Sequence, residues 1–364
     1  MYKYQLKRLF SKYLLVILIC VFAMAAVKAV VVISMNNVEI MPYLTKSQTE
    51  HYNGLLEESS GMSLAERAEY IYNYSLESSQ NNNADVLAAI SKYNYRLDDC
   101  FVVEGVINYS KTGSGLVSAE IPLDLLENAQ LYASLDQPEV INDEPFLKLL
   151  ELQSWSIVPI VIMLVVGVFI ADSYEKGIHL VINISKQAKK FYRSRELILA
   201  GFIFLLHGIN FSADLLISGF DLSAEYMNAT VQSVNFFGFS HINLTIGQVT
   251  GWLYVTSLLS VYICYGIFLL TARKARSMKI YITVCAGVII IMSAFAIYLP
   301  NSAPYVFAAI TDKNVMLRCI DYIPFIGASE IVTVLAVYLL ILAGISAWRF
   351  AGYLNFDGKN AKCR

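Results

Sequence analysis

The sequence contains few charged residues and lacks the short patterns that mark common enzymes. Of its 364 residues, 15% are charged and 57% are hydrophobic. A soluble domain of this size needs far more polar surface, so the composition excludes an ordinary globular protein. The HExxH, GxSxG and Walker patterns are absent from the sequence, and we therefore expect no enzymatic activity.

Patterns for metal and nucleic-acid binding are also missing. None of the six cysteines forms a CxxC pair, and the four histidines fall in different segments, so we expect neither a metal site nor a directly bound cofactor. The basic residues form no tract of the kind that binds nucleic acid. Cys100 and Cys319 both fall in predicted extracytoplasmic segments, where they either pair or stay two thiols.

The sequence does contain six long apolar runs. Each has about the length that crosses ~30 Å of hydrocarbon as a helix. The predicted fold class is therefore an all-α polytopic membrane protein with six transmembrane helices. The runs, numbered here as spans one to six, lie at 13–34, 154–172, 197–218, 251–272, 280–299 and 328–348.

The segments between the runs alternate between rich and poor in Lys and Arg. Because positive charge is retained on the cytoplasmic side, the basic segments are predicted to be cytoplasmic, which places both termini there. The many Tyr, Asn and Ile residues favour a multi-pass protein of a bacterial plasma membrane. The basic segments, which hold 18 of the 27 Lys and Arg residues, are 1–12, 172–196, 272–279 and 349–364.

The first apolar run has two interpretations. Ala23-Met24-Ala25 resembles a signal-peptidase site. The run nevertheless continues to Ile33, about 22 residues, which is long for a cleaved signal and typical of an anchor. We therefore interpret 1–34 as a cytoplasmic N-terminus followed by the first transmembrane helix.

Residues 35–153 are too many for a simple loop between two spans and carry 19 of the 29 acidic residues. We predict a small mixed, mainly helical, extracytoplasmic domain between helices one and two. Ser63 and Glu66 have capping-box spacing, which predicts a helix start. The predicted elements are helices from Ser63 to Leu76, from Asn83 or Asp85 to Tyr95, at 123–135 and at 146–155, and a strand pair at 101–103 and 116–117.

Residues 154–348 contain the five further transmembrane helices. Pro159 is predicted to kink or begin span two, because proline has no backbone N–H to donate. Residues 300–327, which begin at Pro300 and are only modestly hydrophobic, are predicted to form short helices that re-enter the outer leaflet. Residues 349–364 would form a cytoplasmic tail.

The basic segment 172–196 is longer than a turn between two helices requires. Apolar residues recur in it at helical spacing, which predicts a short amphipathic helix along the cytoplasmic surface. A basic loop beside anionic lipid headgroups is the simpler interpretation, and a docking site for a partner is the sharper one. The residues at helical spacing are Ile178, Val181, Ile182 and Ser185, and the basic face consists of Lys186, Lys189, Lys190 and Arg193.

These features resemble the permease subunits of ABC transporters of the type-2 exporter class. That family has a basic first span, a large outside insert, and a second span that ends in Glu-x-Gly, followed by a small helix, a Ser-Arg step and a Lys. Ile184 stands where the family often has proline. The matching residues are Glu175 and Gly177 for Glu-x-Gly, Ser185 and Lys186 for Ser-Arg, and Lys189 or Lys190 for the later Lys.

The resemblance implies a protein without ATPase activity of its own. A separate cytoplasmic ABC ATP-binding subunit, which carries the ATP, would dock on the coupling segment 172–196, and a second permease copy or paralogue would complete the unit. Glu175 would fix the elbow between span two and the coupling helix through a basic partner. Lys186 and Lys190 would face the ATPase or the headgroups. Alternating access would move the cargo.

The residues of a translocation path are less clear from the sequence. His207 lies near the middle of span three and Asp214 two turns further out. An ionisable residue within a span indicates a functional site, although a structural hydrogen bond between helices explains it equally well. Few charges in the spans favour an amphipathic cargo. The path candidates are His207, Tyr254, Ser257 and Tyr262.

Two other functions stay open at this point. The first is a membrane sensor or interaction protein that uses 35–153 as an extracytoplasmic ligand-binding domain. The second is an intramembrane enzyme, which requires paired polar residues at one depth on facing helices. His207 and Asp214 are about 10 Å apart along one helix, so they share a face but not a depth.

Overall fold

The computed structural model describes most of the chain after residue 45. Span one, the predicted helix at 123–135 and the predicted strand at 116–117 lie wholly or almost wholly outside the described residues. Described are 26–27, 30, 46–59, 61–81, 83–112, 144–154, 156, 158–184, 188–231, 234, 244–275, 277–299, 302–306, 308–319 and 328–362.

The described residues are almost entirely helical, which confirms the all-α class. Within them, β-type pairing is limited to one isolated bridge between Thr230 and Thr245. The α-helices are α1 Lys46–Glu58, α2 Leu64–Asn81, α3 Ala84–Thr112, α4 Glu144–Gln153, α5 Val158–Val166, α6 Asp172–Glu175, α7 Ile178–Ile184, α8 Ala188–Ser218, α9 Ala224–Asn228, α10 Ile246–Lys274, α11 Met278–Tyr298 and α12 Ala328–Lys362.

Five stretches of these helices are long and apolar enough to cross a membrane, and they coincide with predicted spans two to six. The chain therefore has the helices of a multi-pass membrane protein. The second and fourth spans are mostly buried, 69% and 61%, whereas the fifth and sixth are 17% and 11% buried. The stretches are Pro145–Ala171, Lys190–Ser218, Ile246–Lys274, Met278–Tyr298 and Val332–Arg349.

The stretch Pro145–Ala171, which we call span two from here on, begins earlier than the predicted 154–172 because it includes α4 as well as α5 and a π-helical turn, Gly167–Ala171. Pro159 is the second residue of α5, where its missing N–H leaves no helical bond unmade, so the prediction that it begins the helix is confirmed. Gly167 permits close packing on α11, because an added Cβ would lie 2.6 Å from Met278 Cε and 2.9 Å from Tyr281 Cε1. The Tyr281 hydroxyl donates to the Met163 carbonyl at 2.8 Å.

Helices α1, α2 and α3 pack around one apolar core. The predicted cap at Ser63 is confirmed: its N–H donates to Glu66 Oε2 at 2.8 Å, and Glu66 N–H returns to Ser63 Oγ at 3.4 Å. The Ser63 side-chain and backbone hydrogen bonds hold the pKa of the Glu66 carboxyl below its usual value. The buried core residues are Tyr52, Leu55, Ile71, Val86, Ala89, Ile90, Tyr93 and Leu97.

The predicted strand at 101–103 is wrong, since these residues lie inside α3. The helix begins where predicted, because Asn83 Oδ1 accepts from Asp85 N–H at 3.1 Å. It then continues past Tyr95 to Thr112. The apolar spacing of Val86, Ile90, Tyr93 and Leu97 is helical, and a run of three apolar residues after it is too short to specify a strand.

The predicted short helices before span six are present as three 3₁₀ helices, Ala303–Val306, Ala308–Ile310 and Lys313–Cys319. We call 302–319 the 3₁₀ segment. It packs against α10 and α11. The predicted tail continues α12 as helix through Lys362 rather than forming a separate element.

Candidate functional site

We call the end of the spans that carries 172–196 and 272–279 the basic end. There, span two turns into the predicted short helix. Helix α6 ends at Glu175, Gly177 has the positive φ of 66°, and α7 follows as Ile178–Ile184. A left-handed φ favours glycine strongly, so the Glu-x-Gly pattern supplies the bend itself.

Glu175 joins span two to span five. Its Oε2 accepts a hydrogen bond from the backbone N–H of Met278 at 3.1 Å. Met278 is the first residue of α11, whose positive dipole end favours a carboxylate. The sequence predicted a basic partner for Glu175, and the described contact is instead a helix N-terminus.

Helix α7 exposes apolar side chains. Leu180 and Ile184, one turn apart, are 60% and 86% exposed, while Ile182 is half-buried. Neither Leu180 nor Ile184 belongs to the predicted face of Ile178, Val181, Ile182 and Ser185, so the exposed pair was not predicted. Lys190 is exposed, and the Lys189 side chain lies outside the described residues, as do Ser185 and Lys186.

A charge cluster that the sequence analysis did not predict lies near the start of span three. The Glu196 carboxylate on α8 contacts Arg273 of α10 and Arg349 of α12, and its side chain is only 4% exposed. The Tyr265 hydroxyl donates to the Glu196 carbonyl at 3.1 Å. Glu196 is one of few acidic residues in the basic segments, and that rarity is the sequence feature that could have identified it. We call Glu196, Arg273 and Arg349 the arginine clamp.

The π-helical turn is also tied to this region. Arg195 Nη1 donates to the Phe169 carbonyl at 3.2 Å, and Ser173 Oγ donates to the same carbonyl at 3.1 Å. A π turn leaves carbonyls without their usual helical donor, and side chains can satisfy them. Spans two and three are therefore joined at the basic end through a buried arginine.

At the opposite end of the same helix α8, Asp214 is the centre of a second buried polar group. Its Oδ2 accepts from Gln153 Nε2 at 2.7 Å and Asn210 Nδ2 at 3.3 Å, and it lies 3.5 Å from Lys313 Nζ. The ammonium also lies 5.5 Å from the centroid of the Phe211 ring. Asp214 was considered from the sequence, but Lys313 was not, although it is a rare basic residue in a Lys/Arg-poor segment.

Three of the four path candidates meet beside this group. His207 Nε2 lies 3.2 Å from Ser257 Oγ, and its ring centroid lies 5.2 Å from that of Tyr254. Ser257 Oγ also donates to the Tyr254 carbonyl at 3.0 Å. Tyr262 lies elsewhere on α10, and its hydroxyl donates to the Ala200 carbonyl at 3.1 Å. His207 and Ser257 are both fully buried, so they join spans three and four.

The 3₁₀ segment is attached to spans two and four by hydrogen bonds. Asn314 Nδ2 donates to the Leu150 carbonyl and to Ser154 Oγ, the latter at 3.1 Å. Trp252 Nε1 donates to the Met316 carbonyl at 3.0 Å. Together with Lys313, these contacts place the segment against three spans.

Neither a metal site nor similarity to known proteins assigns a function to these residues. Across the described ranges, no group of three or more His, Cys, Asp and Glu side chains could hold a metal ion. The pairing of Cys100 with Cys319 stays a prediction. No family model matches the chain, and no curated protein or solved structure matches it at a significant level.

Proposed function

We propose that the chain is the membrane-spanning permease subunit of an ATP-driven exporter of the ABC type-2 class, partnered by a separate ATP-binding subunit. The observation that carries the proposal is the exposed apolar helix Ile178–Ile184 between spans two and three at the basic end. The basic end would be the cytoplasmic one, in a bacterial plasma membrane.

The exposed side chains of α7 favour a docked partner. Leu180 and Ile184 point away from the chain's own core, and a helix with an apolar outer face commonly binds in a groove of another protein. Lys190, which is exposed and follows Ile184 by six positions, adds positive charge to this region of the chain. A cytoplasmic ATPase with a groove between its lobes would cover the stripe.

The contacts around α7 would transmit a push from that ATPase. Glu175 connects the elbow to the start of span five, and the arginine clamp connects spans three, four and six. A displacement of α7 would therefore move several spans together rather than bend one loop. Such rigid-body movement would exchange inward- and outward-facing states.

The path itself would lie between two permeases. His207 and Ser257 are enclosed within the bundle, whereas the fifth and sixth spans are largely exposed along apolar faces. A second copy or a paralogue would pair through part of that surface, and lipid would cover the rest. An amphipathic cargo fits the low charge of the spans.

The test is purification of the tagged full chain from its native membrane, with mass spectrometry of co-purifying ATP-binding subunits. We expect an ATPase with the wild-type chain and its loss from Leu180→Ser/Ile184→Ser. Leu222→Ser is the matched control, because Leu222 is 70% exposed at the opposite end. A folded wild-type chain that purifies alone, under conditions in which a known ABC complex stays intact, would contradict the proposal.

The sensor function remains the second candidate, on one observation. The helical unit 46–112 has an open recess of about 540 Å³. Its lining combines carboxylates with an aromatic ring, a surface that a small ligand could contact. A ligand that slows hydrogen exchange of the backbone amides in this unit, in a chain with which no ATPase co-purifies, would favour the sensor function. The recess is lined by Gly61, Met62, Glu66, Glu69, Tyr70 and Asn73.

A further inference from the structure

The Lys313–Asp214 pair connects the 3₁₀ segment to the end of span three. Asp214 is four residues from the end of α8, and Lys313 begins the last 3₁₀ helix. Both side chains are 1% exposed. A buried charge that loses its partner is strongly unfavourable, so the two residues favour either full contact or a different arrangement in which both reach water.

The rest of the segment's attachment combines hydrogen bonds with apolar packing against the bundle. Short 3₁₀ helices have poorer hydrogen-bond geometry than α-helices and depend on contacts outside themselves. The hydrogen bonds run from Asn314 to span two, from Trp252 to the Met316 carbonyl, and from the Ser156 N–H to the Thr311 carbonyl at 3.0 Å. Met316 and Leu317 are also buried in the apolar core that the segment shares with spans three, four and six. Opening would therefore expose apolar surface, and the ion pair adds to a closed state that packing also favours.

The three groups that contact Asp214 belong to different elements of the fold. Gln153 and Asn210 belong to spans two and three, so their amide bonds remain when the segment moves. Lys313, whose ammonium lies 3.5 Å from the carboxylate as an ion pair, belongs to the 3₁₀ segment. The carboxylate would therefore keep two hydrogen bonds after Lys313 leaves, which lowers the cost of release.

We propose that the Lys313–Asp214 ion pair is a releasable latch that closes the 3₁₀ segment over the ends of spans two to four. Given the proposed exporter function, the ion pair keeps the 3₁₀ segment closed over the outer end of the path, and it breaks in the outward-facing state. Each of the two charges then stabilises the closed segment only while the other is present.

The test measures how often the segment opens. Met316 belongs to the segment and is fully buried against the bundle, so Met316→Cys in a cysteine-free full chain reports opening through its rate of labelling by a membrane-impermeant maleimide. We expect Lys313→Met and Asp214→Asn each to raise that rate at least tenfold. The exchanged pair Asp214→Lys/Lys313→Asp is expected to return it to within about threefold of the parent.

Two controls separate a latch from general damage. Asn314→Ala removes hydrogen bonds to span two but keeps both charges, and we expect less than a threefold rise. Asp221→Asn, an exposed carboxylate that contacts Ser223, is expected to change nothing. Equal rises for Asn314→Ala and Lys313→Met would overturn the proposal, as would parental labelling in both single charge variants.

The exchanged pair also covers the case in which a single variant does not fold. A folded exchanged variant with slow labelling supports the latch, and one with fast labelling overturns it. The labelling needs no ATPase, whereas the exporter proposal is judged by co-purification. Failure of one proposal is therefore distinguishable from failure of the other.

Discussion

Helix α8 has a buried carboxylate near each end, and the two are held in different ways. Glu196 and Asp214 are 18 positions apart, about 27 Å along a helix. Glu196 contacts two arginines, each on a long transmembrane helix, whereas Asp214 contacts one lysine on a 3₁₀ helix and two amides.

The difference indicates which end of the bundle is rigid. Arginine keeps its charge and bonds a carboxylate with a planar fork, while lysine is a flexible point charge. A carboxylate shared by two arginines from different spans would have to lose both before those spans separate. The arginine clamp therefore suits a permanent joint at the basic end, and the lysine pair suits a contact that changes.

The largest effect is expected from breaking the permanent joint. Glu196→Ala leaves two guanidinium groups facing each other with no carboxylate between them, and we expect a loss of about 3 kcal/mol in unfolding free energy. That figure is at the low end for buried pairs because Arg273 and Arg349 are 22% and 23% exposed. Thermal unfolding of the purified chain in detergent measures it.

The control for this prediction is Lys176→Ala, which breaks the exposed Asp172–Lys176 pair at the same end. Exposed pairs contribute about 0–1 kcal/mol, so a small change is expected. If Glu196→Ala unfolds at the temperature of this control, the clamp is not a joint and the contrast between the two ends fails.

A second prediction sharpens the contrast at Asp214. Asp214→Asn or Lys313→Met alone leaves one buried charge, while the double variant leaves none. We expect the double variant to be more stable than the sum of the single changes implies, with a coupling of about 2 kcal/mol. A double-mutant cycle by thermal unfolding measures it. Additive effects would show that the two charges do not depend on each other in the folded state.

Close packing at the basic end gives the third prediction. Gly167→Ala places a Cβ against Met278 and Tyr281 at distances that real contacts do not show. Met278 is flexible and can move, so we expect a cost of about 1–2 kcal/mol. Gly201→Ala in span three, where an added Cβ meets nothing, is the matched control and should cost nothing measurable. Equal unfolding temperatures for both variants would contradict the close approach of spans two and five.

The sequence alone was sufficient to predict the positions of the helices that are long or well capped. Apolar length located spans two to six, and Ser63 and Asn83 began helices where side-chain capping predicted them. The strand at 101–103 failed because a short apolar run has no period of its own. Residues 101–103 are helical because they continue the turns of α3 that precede them.

The candidate site was harder to predict, because its members are distant in the chain. The Glu-x-Gly bend was readable, since φ above zero favours glycine. Lys313 meets Asp214 only because the 3₁₀ segment, about 100 positions further along the chain, packs against spans two to four. Arg273 and Arg349 were counted as orientation signals, and nothing local shows that both reach Glu196.

The smallest effect is expected beside the latch, at His207 and Ser257. Ser257→Ala removes one buried hydroxyl that also bonds its own helix, so we expect about 1 kcal/mol in stability. His207→Gln keeps an amide able to bond Ser257 and should cost similarly little. If the pair is structural, both variants leave export and co-purification unchanged once the protein is folded. Loss of export from a folded Ser257→Ala variant would instead return His207, Tyr254 and Ser257 to the translocation path and extend the functional region from the latch into the middle of the bundle.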